Sequence, residues 1–324
     1  MRRYLSMLQK VVACLLVTGT VSVAHAAYPD KPIRLVVAYP AGGSTDVIAR
    51  ALAVKLAERL KQPVVVDNRP GASGMIGSEF VANAPADGYT LMFTAADTHS
   101  INPHVYAKMR YDAKRDFAPV GLVGYLTMAL IVHPSKPSQT LAQYVSAAKV
   151  KPGSFSYASW GTGSSSHVAM EMFRSAANLS LIHVPFQGAA PAITAVIAGQ
   201  VDSMMVPLTL AEPNHRAGKV RLVGVAAPSR ISWAADLPTL AEQGSPLDGR
   251  LWLGVLAPAK VPEDIVALVN REINASLADP TIKEVMLKNG LDAASGTAAE
   301  FGSLLDREFE RWGKTIRGAD IRVD

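Results

Sequence analysis

The sequence predicts an α/β protein with two mainly parallel sheets. Short β-branched runs alternate with helical patterns twice along the chain, first within residues 32–95 and again within 155–226. Such alternation indicates parallel strands joined by right-handed crossovers, with ligands bound at the carboxyl ends of the strands. A chain of 324 residues, 49% of them apolar, is long enough to bury the cores of two domains.

The first set of elements begins with a strand pattern that is almost continuously apolar. Residues 32–39 have the length and β-branched content of a buried strand, and apolar residues recur at helical spacing over 47–60. The set continues with predicted strands at 64–67 and 89–95 and a predicted helix at 76–82. In a parallel sheet, the loops after Tyr39 and Ala95 should lie at the same edge.

A second set follows the apolar run 120–132, which is placed to carry the chain between domains. It comprises a predicted helix at 141–150, predicted strands at 155–160, 182–186, 201–206 and 220–226, and helices between them. The C-terminal part is predicted to be helical at 262–287 and 298–312, with Asp279-Pro280 between helices. The repeated alternation predicts a second sheet.

The loop between the first strand and the first helix has the sequence YPAGGSTD, from Tyr39 to Asp46. Gly42 and Gly43 lack Cβ atoms, so their backbone N–H groups can approach a ligand closely, and Asp46 can cap the helix. This arrangement favours a carboxylate or phosphate at the helix N-terminus. An ordinary tight turn between a strand and a helix is the alternative interpretation.

A second loop of small residues precedes another predicted helix. It has the sequence GTGSSSH at residues 161–167. Hydroxyl groups at a helix start can add hydrogen-bond donors beside the backbone amides. Adjacent Ser166 and His167 superficially suggest a hydrolase. However, the chain has no G-x-S-x-G elbow, and neighbouring residues at a helix start point in different directions.

The first 26 residues have the pattern of a cleavable signal peptide. Three basic residues precede an apolar run at 11–23, and Ala24-His25-Ala26 is a small-x-small cleavage motif. The mature protein is therefore expected to begin at Ala27, in the periplasm. A transmembrane anchor is the alternative, but an apolar run shorter than about 18 residues argues against it.

Composition argues against several classes of function. Cys14 is the only cysteine and lies in the predicted signal peptide, so the mature chain has no thiol for disulfides, metal binding or catalysis. The seven histidines include no His-x-x-x-His pair, which would suggest zinc. The chain has 32 basic and 27 acidic residues, and removing the three basic residues of the signal leaves a net charge near +2. The sequence has no basic stripe for nucleic acid.

A series of short motifs runs in order from Tyr28 towards the C-terminus. They are YPDKPI at 28–33, PAGGSTD at 40–46, VVVDNRPGA at 64–72, DGYTL at 87–91, INP at 101–103, YD at 111–112, DF at 116–117, GTGSSSH at 161–167, VPFQG at 184–188, GQVD at 199–202 and LPT at 237–239. In this order and number, the motifs resemble the substrate-binding proteins of the tripartite tricarboxylate transporter family, also called the Bug family of periplasmic binding proteins.

The resemblance implies a type II-like periplasmic binding protein, with a mainly parallel sheet in each of two lobes and a ligand cleft between them. The first lobe would hold residues 27–126 and 230–324, and the second lobe 127–229. The lobes would close over a small carboxylic acid and deliver it to permease subunits in the inner membrane. We expect no enzymatic activity, no cofactor, no metal and no nucleic-acid partner. We expect the protein to be a monomer. A periplasmic sensor that presents the same ligand to a signalling receptor is the alternative.

The resemblance also implies which residues contact the ligand, largely through backbone amides, hydroxyls and ordered waters. They are Tyr39, Ala41, Gly42, Gly43, Asp46, Thr94, Ala95, Thr98, Trp160, Gly161, Thr162, Gly163, Ser164, Ser165, His167, Gln187, Gly188 and Ala189. Gln187 stands where the family more often has a basic residue, and the sequence leaves the identity of the acid open.

Several of these residues carry a second interpretation. Asp46 either caps its helix or positions a bound water, and His167 either supports its loop or donates to the ligand. The segment from Thr94 to Thr98 either lines the cleft or hydrogen-bonds only within its own loop. Trp160 either stacks on a ring-shaped acid or packs against its lobe.

Overall fold

The computed structural model describes residues 28–136 and 140–323. The predicted signal peptide, with Cys14 and the cleavage point before Ala27, lies outside the described residues. So does Asp324, the last residue of the predicted first lobe. Within the described ranges, no helix is long and apolar enough to cross a membrane.

The strands assemble into two separate sheets. In chain order they are β1 (Ile33–Val37), β2 (Val64–Asn68), β3 (Thr90–Ala95), β4 (Phe117–Leu126), β5 (Met128–Val132), β6 (Phe155–Ser159), β7 (Leu181–Pro185), β8 (Ser203–Pro207), β9 (Arg221–Val225), β10 (Leu251–Pro258) and β11 (Leu291–Ala293). One sheet has six strands in the order β11-β4-β10-β3-β1-β2, and the other has five in the order β7-β6-β8-β5-β9. We call these sheets, with their helices, the first lobe and the second lobe.

Helices cover the sheets and connect their strands. In chain order they are α1 (Ser44–Leu60), α2 (Met75–Ala82), α3 (Asn102–Val105), α4 (Leu141–Val150), α5 (Ser165–Ala176), α6 (Ala189–Ile197), α7 (Leu208–Arg216), α8 (Glu263–Leu277), α9 (Pro280–Lys288) and α10 (Ala298–Gly318). Thr140, Asp279 and Thr297 cap α4, α9 and α10 by accepting hydrogen bonds from backbone amides. Helix α10 packs on β4 and on α5, so it contacts both lobes.

The two-lobed α/β class is confirmed, but the sheets are mixed where the sequence predicts mainly parallel ones. Strand β1 is parallel to β2 and β3, and β6 is parallel to β7 and β8. In contrast, β10 is antiparallel to β3 and β4, and β5 is antiparallel to β8 and β9. The difference arises because β4 leads directly into the second lobe and β10 returns from it, without the crossover helix that parallel pairing requires.

Burial on both faces fixes the position of β1. Leu35 and Val36 are neighbours that point to opposite faces of the sheet, and both are fully buried. Such two-sided burial is typical of a central parallel strand covered by helices. Because β1 is held by β2 and β3 on either side, the backbone that follows it is placed accurately at the sheet edge.

Candidate ligand-binding site

A cavity of about 500 Å³ lies where loops of both lobes meet. Its volume is within the range of small-molecule sites. The first lobe contributes the loops after β1, β2 and β3, and the second lobe contributes the residues that lead into α5. Leu126, Leu251 and Leu253 add an apolar wall. The cavity therefore lies at the carboxyl ends of the parallel strands of the first sheet, as the alternation of elements predicts.

The loop of residues 39–46, called here the first-lobe loop, contributes Tyr39, Pro40 and Thr45 to the cavity. Gly42 and Gly43 do not line it. Gly42 has a positive φ of 84°, whereas Gly43 is extended with φ −75° and forms the N-cap of α1. The Gly42 amide donates to Asp46 Oδ2 over 2.9 Å, so this donor already has an acceptor inside the protein.

Asp46 stabilises the first-lobe loop through hydrogen bonds to its carboxylate. Its carboxylate also accepts hydrogen bonds from Arg50 Nε at 2.9 Å and Asn68 Nδ2 at 2.8 Å. Burial alone would raise the pKa of Asp46, but the hydrogen bonds from Arg50, Gly42 and Asn68 lower it overall. The side chain does not line the cavity, and it binds the backbone before α1 without capping the helix, whose start has no side-chain cap.

The chain after β3 forms a buried hydrogen-bond network under the cavity. Thr94 Oγ1 lies 2.7 Å from Thr98 Oγ1, which lies 2.7 Å from His99 Nδ1. Both threonine side chains are fully buried and neither lines the cavity, so their polar groups are used within this segment. Ala95 and Asp97 do line it. Asp97 is the one residue of this segment that brings a charge to the cavity.

Asp97 faces the start of α5 across the boundary between the lobes. Burial raises the pKa of its carboxyl, and the hydroxyl and backbone amide of Ser165 act in the opposite direction without cancelling the shift. Among the described ion pairs, none includes Asp97, whereas Asp46 pairs with Arg50. The half-buried carboxylate of Asp97 therefore has no ion-pair partner among the described residues.

The loop of residues 161–167, called here the second-lobe loop, lines the cavity from Gly161 to Ser165. Ser164 is the N-cap of α5, and its Oγ accepts from the His167 amide at 3.3 Å and donates to the Gly161 carbonyl at 2.6 Å. A helix start of this kind presents backbone N–H groups and the positive end of the helix dipole to the cavity. It is a favourable place for negative charge.

His167 supports the second-lobe loop from the side away from the cavity. Its Nδ1 accepts from the Gly163 amide at 3.1 Å, and its ring stacks on His183 with centroids 3.7 Å apart. His183 in turn lies 2.7 Å from Ser159 Oγ. Burial, with a contribution from His183, lowers the pKa of His167 to about 4, so its ring is neutral at pH 7.

The predicted site residues divide into two groups. Those that line the cavity are Tyr39, Ala95, Trp160, Gly161, Thr162, Gly163, Ser164 and Ser165. Those that lie outside its lining are Ala41, Gly42, Gly43, Asp46, Thr94, Thr98, His167, Gln187, Gly188 and Ala189. A ligand contact from this second group stays a prediction. Gln187 is exposed in the loop between β7 and α6.

The cavity also contains residues that were not chosen individually from the sequence, although Pro40, Thr45 and Asp97 lie within segments expected at the cleft. They are Ala38, Pro40, Thr45, Pro70, Gly71, Ser73, Gly74, Asp97, Asn102, Tyr106, Leu126, Leu251 and Leu253. The loop at 70–74 follows β2, whose carboxyl end lies beside that of β1, so the parallel-strand argument could have found it. The same argument applies to Asp97, a charged residue directly after a buried strand.

The lining can bind a ligand by hydrogen bonds and burial. None of the lining residues in the described ranges is Lys, Arg or His. The same ranges contain no cluster of His, Cys, Asp and Glu that could hold a metal ion. An anionic group would therefore be held by hydroxyls, backbone amides and the α5 dipole.

The model of the family described as "Tripartite tricarboxylate transporter family receptor" (TctC) matches residues 48–321. The chain belongs to this family. The resemblance stated from the motifs is thereby confirmed. The family and the fold are those of substrate-binding proteins.

Individual relatives match along nearly the whole chain. A protein from the tcbD-tcbE intergenic region of Pseudomonas sp. (strain P51) is 38% identical over 292 residues, which cover 90% of this chain and 87% of the relative. Protein BugT of Bordetella pertussis is 30% identical, with 91% of each chain covered. The solved structure "R. palustris Rpa4515 with adipate" has a TM-score of 0.78 at 32% identity, and the match covers 91% of this chain and 100% of the other.

Proposed function

We propose that this protein is a periplasmic solute-binding protein that captures a small carboxylic acid between its lobes. It delivers the acid to a tripartite tricarboxylate-type permease in the inner membrane, acts as a monomer and catalyses no reaction. The observation that carries the proposal is the cavity of about 500 Å³, which is lined by both lobes and faces the start of α5. The similar R. palustris protein, solved with adipate, supports the ligand class.

The two lobes are proposed to comprise residues 27–126 with 230–324, and 127–229. The chain leaves the first sheet at Leu126 and enters the second at Met128, and β10 belongs to the first sheet again. A ligand that contacts both lobes favours the state in which they are closed, in proportion to its differential affinity for that state. Capture therefore follows from a cavity whose lining is shared between the lobes.

A carboxylate can be held here without a basic side chain. Charge-assisted hydrogen bonds from backbone amides and hydroxyls are about twice as strong as neutral ones, and a helix dipole adds roughly 0.3–1 kcal/mol. Thr45 brings a hydroxyl from the first lobe, and Thr162 and Ser165 bring hydroxyls from the second. The leucine wall accommodates the apolar part of the acid.

A thermal-shift screen of the purified protein against carboxylic acids tests this function. The panel should include monocarboxylates, dicarboxylates, citrate-like acids, amino acids and aromatic acids. A ligand at a hundredfold excess over its Kd stabilises the folded state by about 2.7 kcal/mol. A folded protein that none of these acids stabilises would contradict the proposal.

A matched pair of variants then locates the site. Thr162 and Gln187 are both exposed residues in loops that precede helices of the second lobe, but only Thr162 lines the cavity. Thr162→Trp should weaken the acid identified by the screen at least about tenfold, by occupying the cavity, while Gln187→Trp should leave its Kd within about twofold. Loss of binding in Gln187→Trp alone would place the acid at the loop before α6 instead.

A further inference from the structure

Asp97 brings to the cavity a carboxyl group that forms no ion pair with any described residue. Among the lining residues in the described ranges, Asp97 is the only one with a charged side chain. It contrasts with Asp46, whose carboxylate has Arg50 and two further hydrogen-bond donors. An ionised carboxylate in a poorly solvated place is costly unless a cation or several donors compensate it.

The donors that Asp97 does have lie at the start of α5. Ser165 lines the same cavity, and its hydroxyl and backbone amide partly offset the rise that burial causes in the pKa of Asp97. The favourable place for a negative group at the α5 N-terminus is thus already shared with a negative group of the protein. A ligand with two carboxylates would bring its second negative charge close to Asp97, and like charges at such distances repel.

A ligand with a positive nitrogen would instead complete the arrangement. An ammonium group has three donors and no acceptor, which is the complement of an ionised carboxylate. Trp160 also lines the cavity, and the face of an indole ring attracts a nearby cation. The carboxylate of the same ligand would remain for the hydroxyls of Thr45 and Thr162, which also line the cavity.

We propose that Asp97 selects carboxylic acids that also carry a protonated nitrogen, by accepting its hydrogen bonds, and discriminates against dicarboxylates. This inference rests on the proposed capture of a carboxylic acid in the same cavity. It defines the ligand class as zwitterionic: one carboxylate, one cationic nitrogen, and an apolar spacer that fits about 500 Å³.

Two sets of matched acids test the selection by titration calorimetry. Adipate, 5-aminopentanoate and hexanoate share a four-methylene chain next to one carboxylate and differ in the group at its far end, which is a carboxylate, an ammonium or a methyl group. Terephthalate, 4-(aminomethyl)benzoate and 4-methylbenzoate make the same comparison on a ring. In each set, the wild-type protein should bind the amino acid at least about tenfold more tightly than the diacid.

Asp97→Asn should reduce this preference at least about tenfold, because the amide cannot pair with the ammonium and no longer repels the second carboxylate. Glu263→Gln is the control, since it removes one negative charge at the start of α8 from an exposed side chain outside the cavity lining; its preference should match that of wild type. A wild-type preference for the diacids, or an unchanged preference in Asp97→Asn, would overturn the inference and leave the capture of carboxylic acids standing.

Two further outcomes distinguish a failure of the proposed function from a failure of the role of Asp97 in selection. If none of the six acids binds the folded wild-type protein, then the proposed function fails for acids of this size and the inference fails with it.

Without ligand, Asp97→Asn should melt at a higher temperature than wild type, because burial disfavours the charge that the substitution removes. A lower melting temperature would show that Asp97 mainly caps α5 and would overturn its role in selection.

Discussion

The first-lobe loop and the second-lobe loop have similar sequences but expose different groups to the cavity. Both contain two glycines and hydroxyl residues before a helix. The second-lobe loop lines the cavity continuously from Gly161 to Ser165. The first-lobe loop contributes Tyr39, Pro40 and Thr45, but its two glycines lie outside the lining.

The difference lies in which group holds each loop. In the first-lobe loop, the carboxylate of Asp46 accepts the Gly42 amide. In the second-lobe loop, the corresponding support comes from the His167 ring behind Gly163 and from the Ser164 hydroxyl, while the loop still forms the cavity wall. A pair of glycines before a helix therefore indicates a possible anion site. In each loop a side chain four residues further on accepts one glycine amide, so the loops differ in which residues line the cavity and not in the supply of free amides.

The largest effect should come from the glycine that brings the lobes together. Gly163 and Gly42 both have left-handed backbones, with φ of 75° and 84°. A Cβ at Gly163 would lie 2.5 Å from Val105 Cγ1 of the first lobe, whereas one at Gly42 would meet no atom within 4 Å. Gly163→Ala should therefore weaken the acid found by the screen at least about tenfold, and Gly42→Ala should weaken it much less.

The shared backbone strain makes Gly42→Ala a suitable control. A left-handed alanine costs roughly 1–2 kcal/mol at either position, and this cost should appear in urea unfolding of both variants. Calorimetry then isolates the contact between the lobes. Equal losses of affinity in the two variants would show that backbone strain, and not the approach of Val105, explains the effect.

The sequence predicted the elements that have a regular period and missed those that depend on the partner lobe. The strand at β1, the helix α4 and the start of α5 were all placed from apolar spacing and small-residue loops. Strand β10, with the sequence LWLGVLAP, was not predicted. Its burial on both faces gives no alternation, and its position between β3 and β4 is set by the chain returning from the second lobe.

The candidate site was predicted best where the backbone itself forms the wall. Residues Gly161 to Ser165 were found because a loop of small residues before a helix has few other uses. Asp97 lies within the segment from Thr94 to Thr98 that was expected at the cleft, but it was not chosen individually, whereas Ala95 and Thr98 on either side of it were. Its importance depends on the absence of a nearby cation among the described residues and on its approach to Ser165, which no local pattern contains.

The second prediction concerns pH, and it distinguishes the supports of the two loops. The folded-state pKa of His167, about 4, lies below the unfolded value near 6.5, so the unfolded chain binds protons first as the pH falls. The stabilising effect of the neutral ring is complete above pH 6.5 and is lost between about 6.5 and 4. From pH 7 to pH 5 the loss attributable to His167 should be about 2 kcal/mol, since one pKa unit corresponds to about 1.4 kcal/mol.

Urea unfolding at pH 7, 6 and 5 measures this loss, and His167→Asn should have a shallower pH dependence than wild type. Asp46 behaves differently, because its folded pKa is lowered below 3.8 and its contribution is lost only as the pH falls below about 4. Asp46→Asn should therefore keep the wild-type slope between pH 7 and 5. A slope unchanged by His167→Asn would assign the pH dependence to other buried histidines, such as His99.

The smallest effect should come from the cap of the second-lobe loop. Ser164 accepts from the His167 amide and donates to the Gly161 carbonyl, so Ser164→Ala leaves both groups without these partners. The loss of a serine N-cap costs about 1 kcal/mol, whereas glycine at the same position costs only a few tenths. Ser164→Ala should accordingly lower the free energy of unfolding at pH 7 by about 1 kcal/mol, and Ser164→Gly by less.

Ser44 supplies the matched control in the other lobe. It is exposed at the first position of α1, where Gly43 is the N-cap and no side chain caps the helix. Ser44→Ala should change the free energy of unfolding by no more than about 0.5 kcal/mol, as is usual for exposed residues without specific contacts. Comparable destabilisation in Ser44→Ala and Ser164→Ala would contradict the difference between the loops, because it would mean that a serine hydroxyl supports both helix starts equally.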